Sequence, residues 1–349
     1  MKPFLCSCGN RVFFENVQCL RCERELGFVP ELGKLAALEP AADGSLRAQL
    51  EPETPRRKCQ NYATENVCNW LCDAADENPL CRACQFSRVV PDLSIAENRV
   101  KWARLETAKR RLLFSLAELG LPVTPKSKDP ERGLAFDFKA DTENSVVLTG
   151  HDDGVVTLKL DEADPVLREQ ARVSLQERYR SLLGHFRHEV GHYYFDRLLV
   201  NTPALEEFRA LFGDERRDYA EALKRHYARL PNDWSADFVS GYAQAHPWED
   251  WAESFAHYLH MVDTLETAES YATSASETRL LAPSQRPLVE RWLELTVVLN
   301  ALNRSMGLED AYPFQIGDGA RRKIEFVQRV VTEHRRSALA DGDVKAQRP

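Results

Sequence analysis

The 349-residue sequence has no cysteine after residue 84 and no apolar run long enough to cross a bilayer. Residues 1–6 also lack the apolar core of a secretory signal. The formal charge of −8 argues against a broad nucleic-acid surface. We therefore expect a cytoplasmic protein with neither a membrane nor a nucleic acid as its partner.

Where cysteine is present, it is crowded into two clusters. An odd count of nine, in a chain without a signal peptide, is typical of metal binding in a reducing compartment and not of disulfides. The first cluster, residues 6–22, holds two close pairs, as in a four-cysteine zinc ribbon. Residues 11–14 and 26–29 are predicted to be short strands beside it. The candidate ligands are Cys6, Cys8, Cys19 and Cys22.

The second cluster, residues 59–84, offers five cysteines for four ligand positions. Cys81 and Cys84 form a zinc knuckle that needs two partners from Cys59, Cys68 and Cys72. All-cysteine sites leave no open position, so both zinc ions are predicted to be structural. Residues 1–90 carry 11 Lys and Arg against 12 Asp and Glu, a net charge of −1. This region lacks the basic surface of a nucleic-acid module, so a protein partner is the better expectation.

Four further segments have a local pattern. Residues 30–58, rich in proline, alanine and glutamate, are predicted to be a weakly ordered connector. Ser94 with Glu97 predicts a capping box that opens a helix running to Leu119. Within that helix, Lys109-Arg110-Arg111 is interpreted as a solvated face. Residues 133–160 alternate apolar with small or polar residues, which predicts a small antiparallel sheet.

The motif that indicates chemistry is His188-Glu189-x-x-His192, an HExxH pattern within an apolar helical segment. Residues four apart share one face of a helix, so two imidazoles can bind one metal ion, and Glu189 can deprotonate a water beside them. The pattern can arise by chance, but burying these polar groups without a metal is costly. Two histidines leave Zn2+ short of ligands, so a third must come from elsewhere while one position stays open for water.

A second predicted helix begins at Pro247 and carries Glu249 and Glu253 on one face. One carboxylate can bind the metal while the other accepts the second N–H of a ligand histidine. The alternative is a solvated acidic face. Either glutamate could be the direct ligand.

The sequence resembles the gluzincin-type zinc metallopeptidases, and more closely the bacterial zinc-binding metallopeptidases with an N-terminal zinc-ribbon region. The resemblance covers most of the chain and rests on LLGHFRHEVGHYY at 182–194, HPWEDWAE at 246–253 and AKRRL at 108–112. It implies an α+β fold, in which small Cys-rich zinc-ribbon modules precede a mostly helical zincin or minigluzincin-like catalytic domain with a small antiparallel sheet. The expected domains are the zinc-ribbon region 1–90, the metallopeptidase domain 91–340 and a disordered tail 341–349.

The resemblance also implies roles for single residues. By comparison with anthrax lethal factor, it implies Glu249 as the zinc ligand, Glu253 in the second shell and Tyr242 as donor to the oxyanion. Similarity to the family favours Cys59, Cys68, Cys81 and Cys84 as the second set of zinc ligands, with Cys72 spare. In zincins an edge strand holds the substrate as an added strand, which implies that role for residues 155–160.

The sequence therefore predicts a zinc-dependent hydrolase of peptide or amide bonds, with one catalytic and two structural Zn2+ ions and a peptide or protein substrate. One alternative is a zinc-ribbon binding or scaffold protein whose zincin domain is vestigial. Another is a metal-dependent amidase that acts on a non-peptide substrate. The intact motif disfavours the vestigial domain, because a drifted pseudoenzyme usually loses its glutamate or a ligand.

Overall fold

The computed structural model describes residues 2–121, 123–142, 145–175, 177, 180–228, 234–272 and 286–340. The chain divides into two compact units, Met1–Asp164 with Ala338–Pro349, and Pro165–Ser337. A Cys-rich region with small sheets precedes a helical region, so the predicted α+β class is confirmed. In the described ranges, every helix is too short or too polar to pass through a membrane. The predicted disordered tail 341–349 lies outside the described residues.

The first unit holds all the named strands and two α-helices. Short strands at residues 11–12 and 26–29 agree with the sequence prediction. The elements are β1 (Phe4–Leu5), β2 (Arg11–Val12), β3 (Leu26–Val29), β4 (Lys34–Pro40), β5 (Leu46–Ala48), β6 (Glu51–Lys58), α1 (Gln60–Ala63), β7 (Leu71–Asp73), β8 (Ser87–Val89), α2 (Ala96–Glu118), β9 (Ala135–Lys139), β10 (Gly150–Asp152) and β11 (Val155–Lys159).

The prediction of a weakly ordered connector at residues 30–58 is wrong. Strands β3 to β7 form a five-stranded antiparallel sheet in sequential order. Its core packs Val29 and Leu38 against Leu71. Two of the four prolines are tolerated because Pro40 ends β4 and Pro55 faces the β-bulge of β5. Proline content therefore misled the prediction.

The sheet predicted at residues 133–160 forms, but it is mixed. Its order is β10-β11-β9-β8, with β10 antiparallel to β11 and β9 parallel to both of its neighbours. The parallel β8–β9 pair is joined through α2, because parallel strands need a long crossover. Strand β11 is flanked on both sides, so the expectation that residues 155–160 form a substrate-binding edge is wrong.

Helix α2 spans the predicted length but begins differently. Its N-cap is Ile95, and no side chain caps it, so the predicted Ser94–Glu97 capping box is wrong. The backbone N–H of Ser94 instead donates to Asp92 Oδ1 at 2.9 Å, which places Ser94 in a turn before the helix.

The interpretation of Lys109-Arg110-Arg111 as a solvated face is also wrong. Lys109 is 0% exposed and lies 2.7 Å from the carboxylate of Glu106, itself fully buried. Arg110 is 4% exposed and donates to the backbone carbonyl of Val67. Arg111 pairs with Glu15. Arg110 and Arg111 therefore join α2 to the rest of the first unit, and Lys109 does so through a hydrogen bond to the hydroxyl of Ser87 on β8.

An aromatic cluster supplies the core at this contact. Phe114 of α2 packs against Phe14 at 5.3 Å and Phe28 at 5.8 Å between ring centroids. Trp70 packs against Phe28 at 4.7 Å between ring centroids, with the two rings tilted by 33°. Helix α2 therefore shares one core with the cysteine-rich strands.

The second unit is helical in its described part. Ser181 caps α4, because its hydroxyl accepts the backbone N–H of Gly184 at 3.0 Å. Trp251 lies among Phe195, Phe208 and Phe212 in its core. The helices are α3 (Pro165–Ser174), α4 (Leu182–Leu198), α5 (Ala204–Phe212), α6 (Tyr219–Ala228), α7 (Pro247–Ala272), α8 (Leu288–Ser305) and α9 (Asp318–Ala340).

Candidate metal centres

Helices α4 and α7 approach closely at the HExxH motif because residue 191 is glycine. A Cβ at Gly191 would lie 2.9 Å from the Cα of Ala252, which is closer than real Cβ atoms come to backbone. The indole N–H of Trp251 donates to the carbonyl of Gly191 at 2.8 Å and fixes this contact. The first turns of α7 therefore lie directly against the histidine face of α4.

Three side chains from these helices converge on one point. His188 Nε2 lies 3.0 Å from Glu249 Oε2, and His192 Nε2 lies 3.3 Å from the same oxygen. Ligand atoms around a tetrahedral zinc ion, at bonds of about 2.0–2.1 Å, are separated by about 3.3 Å. Two imidazoles and one carboxylate are also a donor set that zinc accepts in hydrolases. The arrangement therefore fits a metal ion with one position left open.

Glu253, one turn after Glu249, lies on the other side of the His188 ring. Its Oε1 is 2.7 Å from Nδ1 of His188, and its Oε2 accepts a hydrogen bond from the hydroxyl of Ser240 at 2.5 Å. A carboxylate can only accept here, so Nδ1 carries a proton, and Nε2 is the ring nitrogen left to bind a metal ion. The structure thus gives the two glutamates different partners.

The electrostatics of the site favour a cation between these groups. Burial lowers the pKa of His188, but the carboxylates of Glu249 and Glu253 raise it well above its ordinary value. Burial raises the pKa of Glu249, but the two histidines lower it well below its ordinary range. For Glu253, burial is outweighed by the hydrogen bond from His188, and its pKa falls to about 2. Both carboxylates therefore stay ionised at neutral pH.

The other predicted site residues lie around this point. Glu189 follows His188 on α4 and is 8% exposed. The ring of Tyr242 lies 5.8 Å from that of His188. Sequence reasoning missed Tyr219, whose hydroxyl donates to Glu249 Oε1. No spacing rule could find it, because it is a single tyrosine on another helix, 30 residues from its partner.

The first unit brings the cysteines together as two quartets, each with its sulfur atoms within 4.8 Å of one another. Observed Sγ–Sγ separations of 3.6 Å for Cys6–Cys22 and 3.7 Å for Cys8–Cys19 match the about 3.8 Å expected around zinc with bonds of about 2.3 Å. The residues are those named from the sequence, Cys6, Cys8, Cys19 and Cys22 in one, and Cys59, Cys68, Cys81 and Cys84 in the other.

The second quartet is buried and surrounded by donors. The backbone N–H of Trp70 donates to Cys68 Sγ at 3.3 Å, and that of Cys81 donates to Cys59 Sγ at 3.3 Å. Cys72 is buried beside the quartet but is not part of it. Hydrogen bonds from Cys68 and Cys72 lower the pKa of the Cys59 thiol to about 4. The site therefore stabilises a thiolate at Cys59, the form in which cysteine binds zinc.

Comparisons with known proteins agree with these donor sets. Residues 98–330 match the family described as "Putative zinc-binding metallo-peptidase", and residues 3–95 match a zinc-ribbon domain. Uncharacterized proteins of Mycobacterium bovis and of two Mycobacterium tuberculosis strains are each 42% identical over 341 residues, covering 95% of this chain and 96% of the relative. No solved structure matches the chain. The family descriptions and the two cysteine quartets support zinc binding, and the chain belongs to the zinc-binding metallopeptidase family, with an N-terminal zinc ribbon.

Proposed function

We propose that this protein is a zinc-dependent metallopeptidase that hydrolyses peptide bonds through an activated water. The observation that carries the proposal is the convergence of His188 Nε2 and His192 Nε2 on Glu249 Oε2, with Glu189 next to the first histidine. In this proposal the two histidines and Glu249 hold the catalytic ion. Glu253 fixes the tautomer of His188 and raises its basicity.

The chain's own residues then divide the reaction between them. A bound zinc ion would polarise the scissile carbonyl and lower the pKa of the attacking water. Glu189 takes the proton from that water and passes it to the leaving amine. Tyr242 donates a hydrogen bond to the oxygen that becomes negatively charged in the transition state.

The cysteine quartets have a separate, structural role in this proposal. Four sulfur ligands leave no open position for water, and a small cysteine-rich module needs its metal to fold. Nine free cysteines fit a reducing compartment, so we keep the cytoplasm as the expected location. The ribbons are then free to contact a protein partner while the helical unit acts on a peptide or protein substrate.

The test is a cleavage profile of a proteome-derived peptide library with the native protein and with Glu189→Gln. The substitution keeps the shape of the side chain but removes the base. We expect Glu189→Gln to retain zinc and to lose hydrolysis by about 10²–10⁴-fold. Removing the chelator-labile zinc from the native protein should have the same effect.

Other outcomes would point to the other two functions. Equal hydrolysis by both proteins would remove Glu189 as the base. A native protein that retains only the zinc of the cysteine quartets would favour a scaffold with a vestigial zincin domain. Zinc in the histidine site with turnover of small amides but no peptide cleavage would favour an amidase.

A further inference from the structure

Tyr219 separates the two oxygens of the Glu249 carboxylate. Its hydroxyl donates to Oε1, whereas Oε2 is the atom that faces the Nε2 atoms of His188 and His192. Tyr219 is the first residue of α6 and lies 30 residues before Glu249. It has no role in the function proposed above.

Tyr219 is held in place by the start of α7. Its ring packs edge-on against His246 at 5.3 Å and against Trp248 at 5.5 Å between centroids. His246 Nε2 donates to the carbonyl of Arg217 at 3.1 Å, and its Nδ1 accepts the backbone N–H of Trp248 at 3.1 Å. One buried histidine therefore ties the chain before Tyr219 to the turn that carries Glu249.

The Tyr219 hydroxyl matters because the carboxylate that it contacts, Glu249, is buried. Glu249 is 1% exposed, and a buried carboxylate needs a partner for each oxygen because water cannot supply one. Without the Tyr219 hydroxyl, Oε1 of Glu249 would have no hydrogen-bond donor, and the strongest partner left for it would be the metal ion. A glutamate that binds through both oxygens would add a ligand beside the water, raise the coordination number from four to five, and crowd the position that a hydrolase must leave open.

We infer that Tyr219 is a positioning residue that holds Glu249 to the metal through Oε2 alone and so keeps the fourth coordination position open. This inference rests on the proposed catalytic zinc site but not on the identity of the substrate. It assigns Tyr219 and Tyr242 different roles. Tyr219 sets the coordination of the ion, whereas Tyr242 contacts the substrate.

The experiment compares Tyr219→Phe, Tyr242→Phe and a control, Tyr258→Phe, a buried tyrosine of α7 outside the site. Co2+ replaces the chelator-labile ion while zinc stays in the cysteine quartets, and its visible spectrum reports coordination number. Four-coordinate Co2+ absorbs more strongly than Co2+ with five or six ligands. Affinity for the ion and kcat/KM are measured on the same samples.

We expect Tyr219→Phe to weaken the visible band and to lower kcat/KM or metal affinity by about 10–100-fold. Tyr242→Phe should lower kcat/KM with an unchanged spectrum, and Tyr258→Phe should change neither. A Tyr219→Phe protein with the native cobalt spectrum would overturn this inference but leave the proposed catalytic zinc site standing. A native protein that takes up no cobalt at the histidine site would overturn both the inference and the proposed catalytic zinc site.

Discussion

Nδ1 of His188 lies 2.7 Å from Oε1 of Glu253, on the side of the ring away from Glu249. The glutamate is itself held by the hydroxyl of Ser240 at 2.5 Å. A chain of hydrogen bonds therefore runs from the turn before α7, through Glu253, to the ring that would face the metal. Because the Ser240 hydroxyl also accepts the backbone N–H of Ala243 at 3.1 Å, this chain orients the imidazole before any ion binds.

Glu253→Ala should weaken metal binding at the histidine site by about 10–100-fold, because His188 loses the acceptor that fixes its tautomer. Glu253→Gln should fall between the native protein and Glu253→Ala, since an amide oxygen still accepts a hydrogen bond. Chelator competition measures the affinity. Glu294→Gln, on the surface of α8, is the control. Native affinity in Glu253→Ala would contradict the role given to Glu253.

Gly191→Ala should destabilise the helical unit, because the added methyl group would meet the backbone of Ala252 at 2.9 Å. Overpacking of this kind costs about 1–3 kcal/mol. The matched control is Gly150→Ala, where a Cβ meets nothing within 4 Å. Thermal unfolding and zinc content are the readouts. Equal melting temperatures for the two variants would mean that α4 and α7 tolerate a wider separation.

Cys68→Ser and Cys72→Ser should differ in zinc content, because only Cys68 belongs to the second quartet. We expect Cys68→Ser to contain one zinc ion fewer than the native protein and Cys72→Ser to contain the native number. Metal analysis after gel filtration gives the stoichiometry. If Cys72→Ser lost a zinc ion and Cys68→Ser kept it, Cys72 would be the zinc ligand and Cys68 the spare cysteine.

Arg110→Met should speed zinc release from the second quartet. Burial and Cys59 raise the pKa of the Cys68 thiol, but Cys81, Cys84 and the guanidinium of Arg110 lower it overall, so removing this charge disfavours the thiolate. The variant also leaves the Val67 carbonyl without its donor, at a cost of about 1–3 kcal/mol. Arg111→Met, which loses only a half-exposed pair with Glu15, is the control. Identical release rates in the two variants would exclude this role.

Acid should destabilise the helical unit through two histidines of α7, His257, which is buried, and His260, which is partly buried. Burial lowers the pKa of His257 to about 4 and that of His260 to about 3. Below the ordinary histidine pKa of about 6.5, the unfolded chain takes up protons that the folded chain does not, so stability is present above pH 6.5 and falls as the pH drops towards 4.

The expected loss between pH 7 and pH 5 is about 2 kcal/mol for each histidine. Urea unfolding at the two pH values gives the difference in free energy. His257→Gln should reduce that difference by about half of the histidine contribution, whatever its effect at pH 7. A variant with the native pH dependence would assign the acid sensitivity to other groups.

The sequence predicted the site better than the sheets, for physical reasons. The HExxH motif and the Glu249–Glu253 pair depend on helical spacing, which a sequence displays directly. The structure brings these residues together, and their roles as ligands remain predictions, as do the domain boundaries at residues 90 and 340. Tyr219 acts across space from another helix, and no local pattern announces such a contact.

The predictions that were wrong failed because tertiary contacts outweighed the local sequence pattern. Proline in residues 30–58 disfavours a strand locally, yet packing of Val29, Leu38 and Leu71 stabilises a five-stranded sheet. Lys109 and Arg110 are cations that normally lie at the surface, but Glu106 and a backbone carbonyl satisfy them in the interior. The Val67 carbonyl is far from Arg110 in the sequence, and Glu106 looks like any other surface glutamate. The burial of Lys109 and Arg110 could therefore not be inferred from the sequence.

Helix α2 also matters for anyone who divides this chain for expression. A fragment that stopped at residue 90 would lack Phe114, and water would reach the rings of Phe14 and Phe28 that it covers. Such a fragment would be prone to aggregate even with zinc bound. A fragment extended to Asp164 would retain the helix and its partners, and is the better choice for a soluble ribbon module.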